Sequence, residues 1–308
     1  PETVRRITVL DRAKEPGAGG GPLYLDVLAA LIQEGLPVHG ALKSPVPERQ
    51  TASACTGRNP SRTHCIRIFS GCYGLSSKDT TPAQIAAVYE NTDKIRFTVG
   101  ITDDVTHHSL RVPSIPDTAP KDIVSCKFWG LGGDGTVSAT KNAIKIIGNH
   151  TDMTAQGYFE YDSKKSRGLT ISHLRFGKSP IRSAYLIRRA DFVACHNPVY
   201  LHKYRTMIEE LKDGGTFLLN CYYKEKELED YLPDTVKSCL ALRHIRLYLI
   251  DAIGIGKEIG LNNKISTILQ AAFFAVSGLL DPGDAQVWMN EAAEKSYGKS
   301  GGKILEMN

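Results

Sequence analysis

The sequence predicts an α/β protein of two domains, on three observations. Apolar, β-branched segments alternate with amphipathic segments of helical period along most of the chain. A glycine-rich turn, within Phe128–Val137, sits between a strand pattern and a helix pattern. The stretch Arg111–Lys121 holds Pro113, Pro116 and Pro120, which disfavour helix and strand alike, and reads as a linker between residues 1–110 and 122–308.

In the first domain, VRRITVL (4–10) reads as a strand, and LYLDVLAALIQ (23–33) as an amphipathic helix after a Gly/Pro turn. Residues 36–72 carry Pro37, Pro45, Pro47 and Pro60, three cysteines and no apolar period, so they receive no secondary structure and read as a loop, an insertion or disorder. Thr81 and Pro82 are an N-cap and first-position pair for a helix to about Asn91, and IRFTVGI (95–101) is the next strand.

In the second domain the expected order is strand 123–129, glycine-rich turn, helix 137–147, strand 156–161, a basic loop and strand 169–176. Ser163–Gly168 suits either a hairpin turn or a crossover. Strand 191–195 leads through Asn197–Pro198 into a helix that runs to Asp213 and stops at Gly214–Gly215. Strands 216–220 and 245–250 follow, then helices near 265–279 and 284–296.

Composition bounds the function classes. The 308 residues, 42% of them hydrophobic, suffice for a sizeable core and exclude a chain disordered throughout. The most apolar run, Ile265–Leu280, is 16 residues long and is interrupted by Ser266, Gln270 and Ser277, so a soluble protein without a membrane span is expected. A net charge of +5 is too mild for a dedicated nucleic-acid binder. Seven cysteines without a CxxC pair offer no disulfide scaffold and no metal or iron–sulfur ligand set, which suits a reducing, cytoplasmic compartment. Because the chain starts at Pro1 directly before a strand pattern and stops abruptly at Asn308, it reads as an excerpt of a longer polypeptide.

The sharpest constellation is FWGLGGDGTV (128–137), in which Gly130, Gly132 and Gly135 have the GxGxxG spacing. Glycines there let the backbone approach a diphosphate, and the N-terminus of the following helix attracts anions. Residues 161–190 hold eight Lys/Arg against one acid, a local charge of +7. Arg188 and Arg189 read as a solvated face. Lys164 and Lys165 lie in a short loop at a strand end, where the loops of an open α/β sheet meet over a ligand. Glu160 or Asp162 is placed to hold a ribose, yet the neighbouring lysines favour an extra ribose phosphate, as in both NADP and coenzyme A. Residue chemistry alone therefore stops at a phosphorylated nucleotide.

Cys195–His196, at a strand-to-helix junction, has the setting of an activated thiol but no second base, and reads as buried, as does Cys221. His107–His108 beside Asp103–Asp104 are adjacent loop residues that point apart, a poor metal site. Asn262 and Asn263 after Gly260 suit a helix-end turn or an amide near a nucleotide.

The runs FWGLGGDGTVSATKNAIKIIG (128–148), QGYFEYDSKKSRGLTISHLRFGKSPI (156–181) and DFVACHNP (191–198) closely resemble the pyruvate:ferredoxin (flavodoxin) oxidoreductase family. The likeness extends through TFLLNC (216–221), GLNNKI (260–265), KSYGKSGGKILEMN (295–308), VLDRAKEPG (9–17), YGLSSKDTTP (73–82) and FTVGITDDVT (97–106). It passes over about 36–70, an atypical insertion or a reading error.

The resemblance implies that 1–110 is the latter part of a transketolase C-terminal-like domain and that 122–308 is a larger, three-layer gamma-type domain. It implies coenzyme A contacts at Gly132, Asp134, Gly135, Thr136, Lys164, Lys165 and Asn263, with no catalytic or metal-binding residue. The implied reaction is oxidative decarboxylation of pyruvate to acetyl-coenzyme A, with electrons passed to ferredoxin or flavodoxin. Thiamine diphosphate, magnesium and iron–sulfur clusters would lie outside this chain, which alone would be inactive. Its contribution would be to place the coenzyme A thiol, a proximity effect worth roughly 7–11 kcal/mol in favourable systems. Implied partners are the remaining domains, ferredoxin or flavodoxin, and a second copy in a homodimer; a hydrogenosome-like organelle is the alternative compartment in a eukaryote. The competing readings are an NADP-dependent dehydrogenase and a purely structural interdomain module.

Overall fold

The computed structural model describes residues 3–39, 66–112, 118–162, 168–261 and 265–297. The chain divides into two compact units, Pro1–Thr118 and Ala119–Asn308, each of α/β type.

The first unit contains β1 (Arg6–Asp11), α1 (Pro22–Gln33), β2 (Val38–His39), β3 (Ile66–Cys72), α2 (Pro82–Glu90) and β4 (Arg96–Thr98). All its strand pairs are parallel, and β3 lies at the centre, bonded to β1, β2 and β4. β2 and β3 correct the reading of 36–72 as without secondary structure; residues 40–65 lie outside the described residues. Ile66, Ile68 and Phe69 are buried, and strands on both sides satisfy the β3 backbone. Neighbours fix this segment as a strand, whereas its own pattern is masked by the Pro- and Cys-rich sequence before it.

Helix α2 starts with the reciprocal bonds expected of Thr81: the Gln84 N–H donates to Thr81 Oγ1 at 3.3 Å, and the Thr81 N–H to Gln84 Oε1 at 3.1 Å. Helix α1 has no such cap of its own. The buried Asp11, ending β1, instead accepts the N–H groups of Leu23 and Tyr24 at 2.9 and 3.1 Å.

The second unit contains β5 (Val124–Leu131), α3 (Thr136–His150), β6 (Thr154–Tyr161), β7 (Leu169–Gly177), β8 (Ala190–Cys195), α4 (Tyr200–Lys203), α5 (Thr206–Glu209), β9 (Leu211–Asn220), α6 (Glu225–Tyr231), α7 (Asp234–Leu242), β10 (Arg246–Ile250), α8 (Ala252–Glu258), α9 (Ser266–Ser277) and α10 (Pro282–Tyr297). Its six-stranded sheet has the order β10-β9-β8-β5-β7-β6. The first four strands are parallel, and β7 is antiparallel to both β5 and β6. The basic loop thus joins two antiparallel neighbours, the hairpin alternative.

The single helix expected to reach Asp213 is absent. Two short turns, α4 and α5, replace it, and β9 already begins at Leu211. Gly214 is left-handed (φ +71°) within that strand and donates to Arg243 O at 2.8 Å, while a Cβ on Gly215 would lie 2.8 Å from Lys212 O. The Gly–Gly pair is a strand irregularity, with a register shift between Ala190 and Phe192 opposite. Helices α6 and α7 lie where periodicity alone assigned none.

One face of the sheet buries Cys126, Phe128, Leu174, Phe176 and Phe192 against Ile146 and Ile147 of α3 and Phe273 and Phe274 of α9. The other buries Trp129, Val193, Phe217 and Leu219 under Leu201, Met207, Ile208 and Val236, so the unit has three layers. On this second face β5 and β7 also bury charge. Lys127 pairs with Glu210, its ammonium 5.3 Å from the Trp129 ring centroid. The Ile187 N–H donates to His173 Nδ1 at 3.2 Å, which leaves the proton on Nε2, 2.6 Å from Glu160 Oε2. Arg175, one of the eight Lys/Arg of residues 161–190, is 5% exposed and donates to Gln156 Oε1 and Tyr185 O, each at 2.7 Å. Burial pushes Lys127 and His173 below their ordinary pKa values. Among the described residues no helix is long and apolar enough to cross a membrane.

Candidate functional site at the sheet edge

The parallel strands β5, β8, β9 and β10 end at one edge, where an open α/β sheet places its ligand-binding loops. Residues 132–135 turn there from β5 into α3, and the turn is built around Asp134. Its Oδ2 accepts the Leu131 N–H at 2.7 Å and its Oδ1 the Thr136 N–H at 2.8 Å, while the Asp134 N–H donates to Leu131 O at 3.0 Å. A Cβ on Gly130 would lie 2.1 Å from Thr136 Oγ1, and Gly135 is left-handed (φ +89°), 2.8 Å from the Ser266 Cβ at its own Cβ position. Both glycines therefore serve packing whether or not an anion binds.

Thr136 is buried, and its hydroxyl lies 2.6 Å from His196 Nδ1. From His196 a polar chain crosses the strand ends: its N–H donates to Trp129 O at 2.9 Å, Asn220 Nδ2 donates to its carbonyl at 3.0 Å, and the Ala252 N–H donates to Asn220 Oδ1 at 3.0 Å. Burial lowers the His196 pKa to about 4, with Asp134 opposing the shift, so the ring is neutral at pH 7. Sequence reasoning missed Asn220; its signal was a lone amide closing the apolar run TFLLN.

The thiols behave as buried groups. Cys195 is wholly enclosed and donates to Asn197 O at 3.0 Å, and burial pushes its pKa up to about 12. Burial also raises Cys221. At the other candidate, Asp104 accepts the Thr106 and Ser109 N–H groups within its own loop, and its pKa falls to about 2 chiefly through the Thr106 hydroxyl.

Of the seven sequence-selected residues, Gly132, Asp134, Gly135 and Thr136 come together in this turn. Lys164, Lys165 and Asn263 lie outside the described residues, but their flanks are described. Gly168 accepts the Gly132 N–H at 2.8 Å, and the Asp162 N–H donates to Leu169 O at 2.9 Å, so the described base of the β6–β7 loop meets the glycine-rich turn. Ser266, just beyond 262–264, abuts Gly135. The arrangement offers first-turn N–H groups of α3 beyond the one Asp134 takes, at the positive end of a 15-residue helix. That suits binding of an anion.

Residues 125–308 match the family model described as pyruvate ferredoxin/flavodoxin oxidoreductase. The chain belongs to this family. A pyruvate:ferredoxin oxidoreductase of Moorella thermoacetica is 48% identical over 312 residues, covering 100% of this chain and 24% of that protein. A pyruvate-flavodoxin oxidoreductase of Klebsiella pneumoniae is 44% identical over 313 residues, with the same coverage of 100% and 24%. The chain thus spans about a quarter of the length of these relatives of the pyruvate ferredoxin/flavodoxin oxidoreductase family. Among solved structures, the pyruvate oxidoreductase subunit PORC of Thermotoga maritima aligns with a TM-score of 0.45 at 16% identity, over 61% of this chain and 91% of that one.

Proposed function

We propose that this chain is the coenzyme A-positioning part of an enzyme that oxidatively decarboxylates pyruvate and delivers electrons to ferredoxin or flavodoxin. In this reading residues 1–110 are the end of a transketolase C-terminal-like domain, 111–121 a linker and 122–308 a gamma-type domain. The supporting observation is the meeting of the β5–α3 turn with the base of the β6–β7 hairpin, tied by the bond from Gly132 to Gly168. Gly132, Asp134, Gly135 and Thr136 would line the phosphates, with donors left to the α3 first turn beyond the Gly132 and Thr136 N–H groups that Gly168 and Asp134 take, and Lys164, Lys165 and Asn263 would add charge and an amide. Thiamine diphosphate, magnesium and iron–sulfur clusters belong to the remainder of a longer, homodimeric polypeptide, so the chain alone does not turn over pyruvate. The NADP reading is the weaker, because Glu160, one of its two ribose candidates, is bonded to His173.

A structural role for the turn is the second reading, favoured by one observation: Asp134 already occupies the Thr136 N–H as a bound anion would. Calorimetry with coenzyme A, dephospho-coenzyme A and NADPH separates the three. Coenzyme A is expected to bind, more tightly than the dephospho form, and to weaken about tenfold or more in Lys164→Ala/Lys165→Ala. Tighter binding of NADPH reverses the choice of ligand, and absence of binding by all three leaves the structural role.

A further inference from the structure

We infer that the open edge of β6 pairs antiparallel with β6 of a second copy of this chain, about a two-fold axis at Tyr158, and so joins two sheets into one. β6 is the last strand of the six-stranded sheet and is bonded to β7. The Asp162 N–H donates to Leu169 O, the residue opposite it in the β6–β7 register, and hydrogen-bonded pairs alternate along an antiparallel ladder. The backbone groups of Thr154, Gln156, Tyr158 and Glu160 therefore face β7, and those of Ala155, Gly157, Phe159 and Tyr161 face outward. Among the described residues no strand pairs with this outer edge. Natural edges are blunted by short length, proline, lysine or a bulge. β6 has none of these: it runs eight residues as TAQGYFEY, in unbroken register with β7 from Thr154 to Tyr161. The opposite edge strand, β10, has five residues and opens on Arg246.

The strand complements itself, which selects a second copy as its occupant. With the axis at Tyr158 every outward residue meets another outward residue: Ala155 faces Tyr161 of the second copy, and Gly157 faces Phe159. Each aromatic ring then lies beside a small residue, on the face where a Cβ on Gly157 would come 2.4 Å from Ile144 Cδ1 of α3. On the other face Tyr158, 58% exposed, meets its own counterpart, Glu160 faces Gln156 and Asp162 faces Thr154, so no like charges oppose each other. Moving the axis to Glu160 would set two carboxylates face to face. One strand pair is small beside the roughly 1,200–2,000 Å² that stable interfaces bury, so the association is weak and concentration-dependent.

The inference rests on the homodimer of the proposed function, to which it gives an interface, and is independent of coenzyme A. Sedimentation equilibrium of the full chain across the micromolar range tests it. The average mass is expected to rise from one chain toward two, and Tyr158→Lys, which sets two lysines against each other at the axis, should weaken the dimer at least tenfold. Tyr158 is exposed, so the variant should keep the melting temperature of the parent. A second pair of variants fixes the register. Residues opposed at a position without hydrogen bonds have Cα atoms about 4.5 Å apart, within disulfide range, so Tyr158→Cys should link two chains under diamide, beyond any link in the parent. Tyr161→Cys, which faces Ala155 and not its own counterpart, should not. A chain that stays monomeric throughout, a dimer indifferent to Tyr158→Lys, or linkage through position 161 instead of 158 overturns the inference. So does a monomer in which the amides of Ala155, Gly157, Phe159 and Tyr161 resist hydrogen exchange, since a segment of the same chain then covers the edge. Coenzyme A titrated into the same variants is read separately, and its failure to bind bears on that proposal alone.

Discussion

The glycine-rich turn and the cleft lined by α3, α9 and α10 lie at the two sides of the α3 N-terminal segment, and they differ in how far the chain satisfies its own polar groups. In the turn, Asp134 accepts two backbone N–H groups and Thr136 meets His196. In the cleft, among the described residues, Gln270 keeps a donor without a partner and Lys141 and Lys145 have no acid within ion-pair distance. The segment that looks like a ligand loop in sequence is largely self-sufficient, while residues without any motif are left wanting a partner. A glycine spacing reports where the backbone must pass closely, as at Gly130 and Gly135.

The largest expected effect falls on the turn. Gly130→Ala puts a methyl 2.1 Å from the Thr136 hydroxyl, so either Thr136 leaves His196 or β5 shifts, at a cost of about 3 kcal/mol in urea unfolding. A change below about 0.5 kcal/mol would show the turn to be loosely packed.

Acid comes next. Because burial holds His196 at about 4, below its ordinary 6.5, the unfolded chain binds more protons between those values. The contribution of this histidine is complete above pH 6.5 and is lost as the pH falls toward 4, and the buried, lowered His173 acts in the same direction. A urea midpoint that stays constant from pH 7 to 4.5 would contradict the enclosure of both rings.

Thr136→Val keeps the shape and removes the hydroxyl beside His196, for a loss of about 1–2 kcal/mol. The smallest effect has the opposite sign: Gln270→Leu should gain up to about 1 kcal/mol, since it discards a buried unpaired donor. Opposite signs for these two buried polar residues would sharpen the contrast between turn and cleft, and equal losses would erase it.

Much of the fold was legible because local rules act within a few residues. Thr81–Pro82 announced α2, and the apolar runs announced β1, β5, β7 and β8 near their observed bounds. The failures share a cause. Residues 66–72 are a strand because three other strands bond to them, and Gly214–Gly215 kink a strand instead of ending a helix because β8 and Arg243 lie alongside. Within the site, Gly132, Asp134, Gly135 and Thr136 were legible as one contiguous turn. His196 and Asn220 were not legible as its supports, since they arrive from two other strand ends. Gln270 stood in the sequence only as an interruption of an apolar run.

By itself the sequence determined the α/β alternation and the family, both of which rest on neighbouring residues or on long runs of them. Only the tertiary structure decided that the basic loop closes a hairpin, that Arg175, His173 and Lys127 are internal, and that α3 and α9 face each other across a cleft. Burial and hydrogen-bond satisfaction are properties of what surrounds a group. That surrounding is assembled from segments more than a hundred residues apart, as Asn142 and Gln270 are.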